Sequence, residues 1–144
     1  MVKLPIRKYK NTNPESSAYG KTYARVVHQG TLSTNDLCRH LMSHGTIFTP
    51  DVVKGTIEQF IMCFEDLLMQ GNKIKLDGLG TFYVSITTQG VDNPDDFSAS
   101  DVKAVRVKFL PDQSKVSEYT TKMLTAKARF RTIDGQEILS DEET

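Results

Sequence analysis

The sequence predicts an α+β fold, because helical and alternating hydrophobic patterns occupy separate parts of the chain. Two helix patterns fill residues 31–70, strand patterns fill residues 73–109, and a further pair of strand patterns precedes the helices. The chain has 144 residues, of which 38% are apolar, and it has no tryptophan. We therefore expect one domain with appendages, whose modest core a second subunit would help to complete.

Residues 1–28 predict a β-hairpin. Segment 3–10 alternates in part between apolar and polar residues, and segment 22–27 is rich in β-forming residues. The residues between these segments are polar and typical of turns. Pro5 indicates an edge strand, because proline has no N–H to donate to a strand ladder.

Two helices are predicted after the hairpin. Ser33 is the predicted N-cap of the first helix, Asp36 completes a capping box, and Gly45 ends the helix. The second helix begins with Thr49 as its N-cap. Pro50 then takes the first helical position, where the missing N–H of proline costs nothing.

The second helix is predicted to end at Gly71, since glycine takes the left-handed conformation at little cost. Its apolar residues recur with the period of a helix; they are Val53, Ile57, Phe60, Ile61, Phe64, Leu67 and Leu68. This apolar stripe is longer and wider than one short helix can cover, so it indicates a dimer.

Three strands are predicted next, at residues 73–77, 81–88 and 102–109, with a glycine turn between the first two. In the first and last of them, apolar residues alternate with lysine or arginine. Each of these two strands therefore has one apolar face and one cationic face. The connection over residues 89–101 is acidic and turn-forming.

The C-terminal part is predicted to contain a helix, a strand and a tail. The helix runs from Asp112, directly after Pro111, to about Leu124. Its apolar residues are spaced i, i+3 and i+7, and they are Val116, Tyr119 and Met123. Segment 127–133 is predicted to add a strand against the N-terminal hairpin, and the acidic segment 135–144 is predicted to be disordered.

Three motifs resemble the bacterial histone-like DNA-binding family, which comprises HU and integration host factor. Gly78-Leu-Gly-Thr-Phe82 follows a long helix and a lysine-containing strand, as in that family, with Leu79 in place of the middle aromatic residue. Ala99-Ser-Asp-Val102 resembles the Ala-Ser-x-Val that follows the family's arm. Phe109-Leu-Pro111 resembles the Phe-x-Pro that precedes the family's last helix.

The resemblance implies a domain organisation and an assembly. The histone-like DNA-binding domain takes residues 31–124, with an added β-hairpin in residues 1–30 and a strand with an acidic tail in residues 125–144. Two chains intertwine so that the long helices share a core, and the strands form a saddle with two β-arms. The dimer-core residues implied are Phe60, Phe64, Leu79, Phe82 and Phe109.

The function implied by the resemblance is sequence-tolerant binding, bending and condensation of double-stranded DNA by a homodimer in the nucleoid of the cytoplasm. In that family a proline at each arm tip wedges between base steps, and basic residues of the arm and saddle bind phosphates. The corresponding residues of this chain are Lys73, Lys75, Arg106, Lys108, Lys115, Lys122, Asn93 and Pro94. The resemblance implies no cofactor, no small-molecule substrate and no membrane partner.

The arm region of this chain departs from the family in its charge. Residues 83–101 contain no lysine or arginine, and three aspartates surround Asn93 and Pro94. Carboxylates within about 8 Å of phosphates repel them, so we expect DNA contacts from the body more than from the arm. An ordinary turn is the alternative for Asn93 and Pro94. The alternative function is a dimeric scaffold with the HU-like fold that has lost DNA binding, which the net charge of zero supports.

Charge is segregated along the chain although the total is zero. Residues 1–30 sum to +5 and residues 133–144 sum to −5. The basic residues of the first segment are Lys3, Arg7, Lys8, Lys10, Lys21 and Arg25. They extend the DNA surface or pair with the acidic tail as an intramolecular mimic of DNA. Deleting residues 134–144 separates these hypotheses, since only the second expects tighter DNA binding at low salt.

Other kinds of site have weaker support. His40 and His44 are four residues apart on a helix, but no third metal ligand follows from the pattern, so we interpret them as solvated. Cys38 and Cys63 are expected to be reduced and buried. No phosphate loop or catalytic triad pattern is present in the sequence, and no apolar run approaches the roughly 20 residues of a membrane span. We expect no enzyme activity, no metal and no cofactor.

Overall fold

The computed structural model describes residues 2–115 and 117–133 together with the backbone of residues 137 and 138. Its elements are β1 (Leu4–Lys10), β2 (Thr22–Val26), α1 (Thr34–Ser43), α2 (Pro50–Met69), β3 (Ile74–Leu76), β4 (Gly80–Thr88), β5 (Val102–Pro111), α3 (Thr121–Lys127), β6 (Phe130–Thr132) and β7 (Glu137–Ile138). The predicted α+β class is confirmed. The backbone divides into two compact units, Met1–Ser33 with Leu124–Thr144 and Thr34–Met123. The assignment of residues 31–124 to a DNA-binding domain stays a prediction.

The first unit contains a sheet in the order β2-β1-β6-β7. Strands β1 and β2 are antiparallel, and the strand predicted within residues 127–133 is present as β6, parallel to β1. Pro5 does not lie in an edge strand, because β1 pairs on both sides. Proline is tolerated here because residue 5 lies opposite Val27, just beyond the end of β2, so its missing N–H costs no bond within the β1–β2 ladder. The Pro5 carbonyl accepts a hydrogen bond from the Val27 N–H at 2.9 Å.

Part of the acidic tail is paired. The backbone of β7 pairs antiparallel with β6, with Ile138 opposite Phe130. At Glu137 and Ile138 the prediction of disorder is wrong. The rest of segment 135–144 lies outside the described residues.

The helices of the second unit begin close to the predicted positions. Helix α1 starts directly after Ser33, and α2 starts with Pro50. Thr49 has the extended backbone of an N-cap, with φ −74° and ψ 157°, but its side chain makes no capping hydrogen bond. The predicted position of the N-cap is confirmed. Among the described residues, no helix is both long enough and apolar enough to cross a membrane.

The end of α2 has the hydrogen bonds of a Schellman motif. Gly71 has φ +85°, and its N–H donates to the Leu68 carbonyl at 3.0 Å. The Asn72 N–H donates to the Leu67 carbonyl at 3.3 Å. Glycine is the residue that takes this conformation at little cost, so the predicted end of the helix at Gly71 is confirmed.

The second unit also contains an antiparallel sheet in the order β3-β4-β5. Phe82 of β4 lies opposite Ile74 on one side and Phe109 on the other. The three strands and the glycine turn between β3 and β4 agree with the prediction.

The predicted C-terminal helix begins nine residues later than expected, at Thr121 rather than Asp112. The Asp112 carboxylate accepts hydrogen bonds from the Gly78 N–H at 3.2 Å and from the Ser114 hydroxyl at 2.8 Å. These bonds give the backbone an alternative to the helix. Met123 lies on α3, Tyr119 precedes it, and Val116 lies outside the described residues.

Asp112 supplies a prediction about acid stability. The hydrogen bonds from Ser114, first from its hydroxyl and then from its N–H, lower the pKa of the Asp112 carboxyl below its ordinary value of 3.8. Because the folded-state pKa is the lower one, the stabilisation is present above the unfolded pKa and is lost as pH falls through the folded pKa. We expect Asp112→Asn to weaken the fold near neutral pH and to show a smaller loss of stability below about pH 4 than the wild type.

Urea unfolding at several pH values from neutral to acidic measures this difference. Asp77→Asn is the matched control, because Asp77 is an exposed aspartate at the end of β3. Equal acid sensitivity in the wild type and the Asp112→Asn variant would contradict the prediction.

Candidate nucleic-acid interface

Alternation along the β3-β4-β5 sheet places four basic residues on one side. We call Lys73, Lys75, Arg106 and Lys108 the cationic face. Lys75 of β3 lies opposite Thr81, while Arg106 and Lys108 of β5 lie opposite Ser85 and Tyr83. Successive side chains of a strand point to opposite sides, so all four cations lie away from the side that carries Phe82.

Contacts on the cationic face hold two of its side chains. The Lys73 Nζ lies 5.6 Å from the centroid of the Tyr83 ring, which is cation–π distance. The Arg106 Nη1 donates to the Thr87 Oγ1 at 2.6 Å.

The charges of the cationic face are available to a ligand. All four basic residues are exposed. No ion pair within the described part of the chain engages any of them. Lys75 also attracts the Asp112 carboxylate and helps to lower its pKa. The face therefore offers four positive charges that lie on one side of a sheet outside any described ion pair, which is an arrangement that attracts phosphates.

Four of the five predicted dimer-core residues form an aromatic cluster on the opposite, apolar side of the sheet, two of them on the sheet and two on α2. Phe60 and Phe64 of α2 have ring centroids 5.2 Å apart, Phe64 and Phe82 are 5.0 Å apart, and Phe82 and Phe109 are 4.7 Å apart. Leu79, the fifth, is half-buried in the turn between β3 and β4. The predicted cluster is therefore continuous through its aromatic members.

This apolar side is incompletely covered in a single chain. Val105 is 55% exposed and Val107 is 62% exposed, and both lie on the same side of β5 as Phe109. Phe60 is also exposed. A row of exposed apolar side chains on a sheet is typical of a surface that another polypeptide covers.

The remaining predicted basic residues lie outside the sheet. Lys115 lies in the segment between β5 and α3, and Lys122 lies on α3. Both are exposed. The register of the strands does not place them on the cationic face, and their role in DNA binding stays a prediction.

The connection between β4 and β5 is a compact loop. The Gln89 N–H donates to the Asp101 carbonyl at 2.7 Å, which closes residues 89–101 at their base. Asn93 caps a 3₁₀ turn over Pro94–Asp96, with its side-chain oxygen accepting from the Asp95 N–H at 3.2 Å. Asn93 and Pro94 thus form a turn within a loop whose exposed side chains include several carboxylates.

One residue of this surface was not predicted from the sequence. Tyr83 lies between Lys73 and Lys108 on the cationic face. Its position directly after Phe82 was the available signal, because neighbours in a strand face opposite sides and Phe82 faces the core.

The remaining candidate groups are two histidines and two cysteines in or beside the helices. The His40 and His44 Nε2 atoms are 3.2 Å apart, which is hydrogen-bond distance, and both side chains are exposed, in agreement with the interpretation of them as solvated. The part of the chain that the structure describes has no cluster of three or more possible metal ligands. Cys38 is free and buried as predicted, whereas Cys63 is free but exposed, because its side of α2 has no covering element in a single chain.

Comparisons with known proteins give a family and a fold. A model of an HU domain fused to a wHTH, Ig or glycine-rich motif matches residues 2–126. Among solved structures, one described as a putative bacterial DNA binding protein from Bacteroides vulgatus ATCC 8482 has a similar fold, with a TM-score of 0.63 and 12% sequence identity. The match covers 90% of this chain and 48% of that chain, so this chain spans about half the length of that protein. No curated protein matches the chain.

The family match extends further than the sequence resemblance. It begins at residue 2 and so includes the N-terminal hairpin, which the resemblance leaves outside residues 31–124. The structural similarity at 12% identity supports the fold alone. Because the family model covers most of its length, the chain belongs to the family of HU domains fused to a wHTH, Ig or glycine-rich motif.

Proposed function

We propose that this chain is an HU-type protein that binds double-stranded DNA as a homodimer with little sequence preference. The observation that carries the proposal is the cationic face, where Lys73, Lys75, Arg106 and Lys108 lie on one side of a rigid sheet. Such a face contacts phosphates and reads no base edges, so it binds without regard to sequence. Family membership and the described DNA binding of the structural relative support the same class of partner.

The homodimer is proposed from the apolar side of the same sheet. The exposed Val105 and Val107 continue the ring cluster of Phe82 and Phe109. A second copy of the chain would cover this surface and place two cationic faces in one assembly. Duplication matters energetically, because each basic residue then contributes two phosphate contacts.

The proposed contacts come from the sheet and not from an arm. The loop over residues 89–101 is closed by hydrogen bonds and carries Asp92, Asp95 and Asp96. Carboxylates beside a phosphate backbone oppose binding, so we propose bending and condensation by wrapping on the sheet, in the nucleoid, without intercalation by Pro94. The intercalating role of Asn93 and Pro94 is what the family resemblance implies, and this proposal does not include it.

A second candidate function is a dimeric scaffold that has the HU-like fold without DNA binding. The observation that favours it is the charge of the unit Thr34–Met123, which contains nine lysines and arginines against twelve aspartates and glutamates. A unit with a net negative charge repels DNA as it approaches, which opposes the attraction of the cationic face.

A gel shift with a duplex of about 30 base pairs separates the two functions. At ~50 mM salt we expect a complex at micromolar protein or below, and its affinity should fall steeply as salt increases. The slope of log affinity against log salt should equal about 0.9 for each neutralised phosphate. Absence of a complex at ~50 mM salt would favour the scaffold and overturn the proposal.

A further inference from the structure

The N-terminal sheet has a face on which arginines and tyrosines lie side by side. In the register of β1 and β2, Arg7 lies opposite Arg25 and Tyr9 lies opposite Tyr23. The Lys21 carbonyl accepts a hydrogen bond from the Asn11 N–H at 2.9 Å, which continues the same register by one pair. We call Arg7, Tyr9, Lys21, Tyr23 and Arg25 the Arg/Tyr face, since residues of the same parity share one side of a strand pair.

The two rings of this face form a platform that is open on the surface. The ring centroids of Tyr9 and Tyr23 are 6.0 Å apart, and the ring planes differ by 31°. The Arg25 guanidinium lies 5.7 Å from the Tyr9 centroid, so it restrains that ring by a cation–π contact. Tyr9 is 45% exposed and Tyr23 is 41% exposed.

Among the described residues, the charge of this face has no acidic counterpart. Arg7 and Arg25 are directly opposite each other, and like charges in that position destabilise a strand pair. Among the described side chains of the unit, Glu15 is the only carboxylate, against nine lysines and arginines. No ion pair between described residues involves Arg7 or Arg25. A bound polyanion would relieve the repulsion.

We propose that the Arg/Tyr face binds single-stranded nucleic acid, with unpaired bases stacked on Tyr9 and Tyr23 and phosphates held by Arg7, Arg25 and Lys21. Single strands are the favoured occupant because an aromatic ring on a flat sheet offers its π face, and only an unpaired base can present a π face in return. The rings would add nothing to a contact with duplex phosphates. The residues of this site differ from those of the cationic face, so the proposal does not depend on duplex binding there.

The test uses the full chain and a labelled (dT)₂₀ oligonucleotide, with binding followed by fluorescence anisotropy. We expect the double variant Tyr9→Ala/Tyr23→Ala to bind (dT)₂₀ about 10-fold more weakly for each ring that stacks on a base. Its affinity for a duplex of equal length should be unchanged. Arg7→Gln/Arg25→Gln should lower the salt slope for (dT)₂₀ by about 1.4, which is two phosphate contacts on a single strand. Tyr19→Ala is the matched control, because Tyr19 is an exposed tyrosine in the loop of the same hairpin.

A second measurement keeps the proposal testable if the alanine variant fails to fold. The chain has five tyrosines and no tryptophan, so its intrinsic emission comes from tyrosine. Stacking on (dT)₂₀ should quench this emission, and Tyr9→Phe/Tyr23→Phe should keep the affinity while losing most of the quenching. Any one of three results would overturn the proposal: no (dT)₂₀ complex at ~50 mM salt, full quenching in the phenylalanine variant, or equal losses for (dT)₂₀ and duplex in the alanine variant.

Discussion

A variant with Lys75→Gln and Lys108→Gln is expected to bind duplex DNA about 10⁴-fold more weakly at ~0.1 M salt. Each neutralised phosphate contributes about 0.9 to the slope of log affinity against log salt, which corresponds to roughly a tenfold change in affinity at this salt. Two substitutions in a homodimer remove four contacts. Fluorescence anisotropy with a duplex of about 30 base pairs, repeated over a salt series, measures the affinity and the slope, and the slope should fall by about 3.6.

The matched control removes the same amount of charge elsewhere in the same unit. Arg39 and Lys54 are exposed helical residues, and each lies beside a carboxylate, at 3.6 Å and 3.8 Å respectively. We expect Arg39→Gln/Lys54→Gln to keep nearly the wild-type affinity. If both double variants lose affinity equally, net charge and not the cationic face controls binding. If the Lys75→Gln/Lys108→Gln variant binds like the wild type, the cationic face does not contact DNA.

Local patterns predicted the elements whose causes are local. The period of α2 and its end at Gly71 follow from residues close in sequence, and the structure confirms both. The side of the sheet that Lys75 and Lys108 share also follows from alternation in β3 and β5 once the strands pair. For these features the sequence predicts the structure correctly, because contacts between residues close in sequence determine the conformation.

The failures arise where distant residues decide the conformation. The predicted start of α3 is too early because Asp112 accepts a hydrogen bond from Gly78, which is 34 positions away, and no periodicity shows such a contact. The sequence predicts a strand at residues 127–133 against the hairpin but does not show that it pairs with β1 rather than β2, so the edge position it predicts for Pro5 is wrong. The compact form of residues 89–101 depends on the hydrogen bond between Gln89 and Asp101. These two residues meet only when β4 and β5 pair.

Replacing Gly80 by alanine is expected to destabilise the fold by about 3 kcal/mol or more, at the upper end of overpacking effects. Gly80 begins β4 with φ +156°, a conformation that other residues rarely take. A Cβ built there would overlap the Leu110 carbonyl oxygen and would lie 2.5 Å from the Phe109 Cε2. The carbonyl belongs to the β4–β5 ladder, so it cannot move without breaking strand pairing. Urea unfolding of the variant measures the loss.

Gly78→Ala is the matched control for this prediction, because it adds the same methyl group two residues earlier in the same turn. Gly78 has φ +82°, and no atom lies within 4 Å of a Cβ built there, so its substitution should cost only the left-handed strain of about 1–2 kcal/mol. Equal losses in the two variants would mean that backbone conformation alone requires glycine. A larger loss at Gly80 would show that the glycine motif serves to bring β5 and the Phe109 ring against β4, and the apolar side of the sheet depends on that contact.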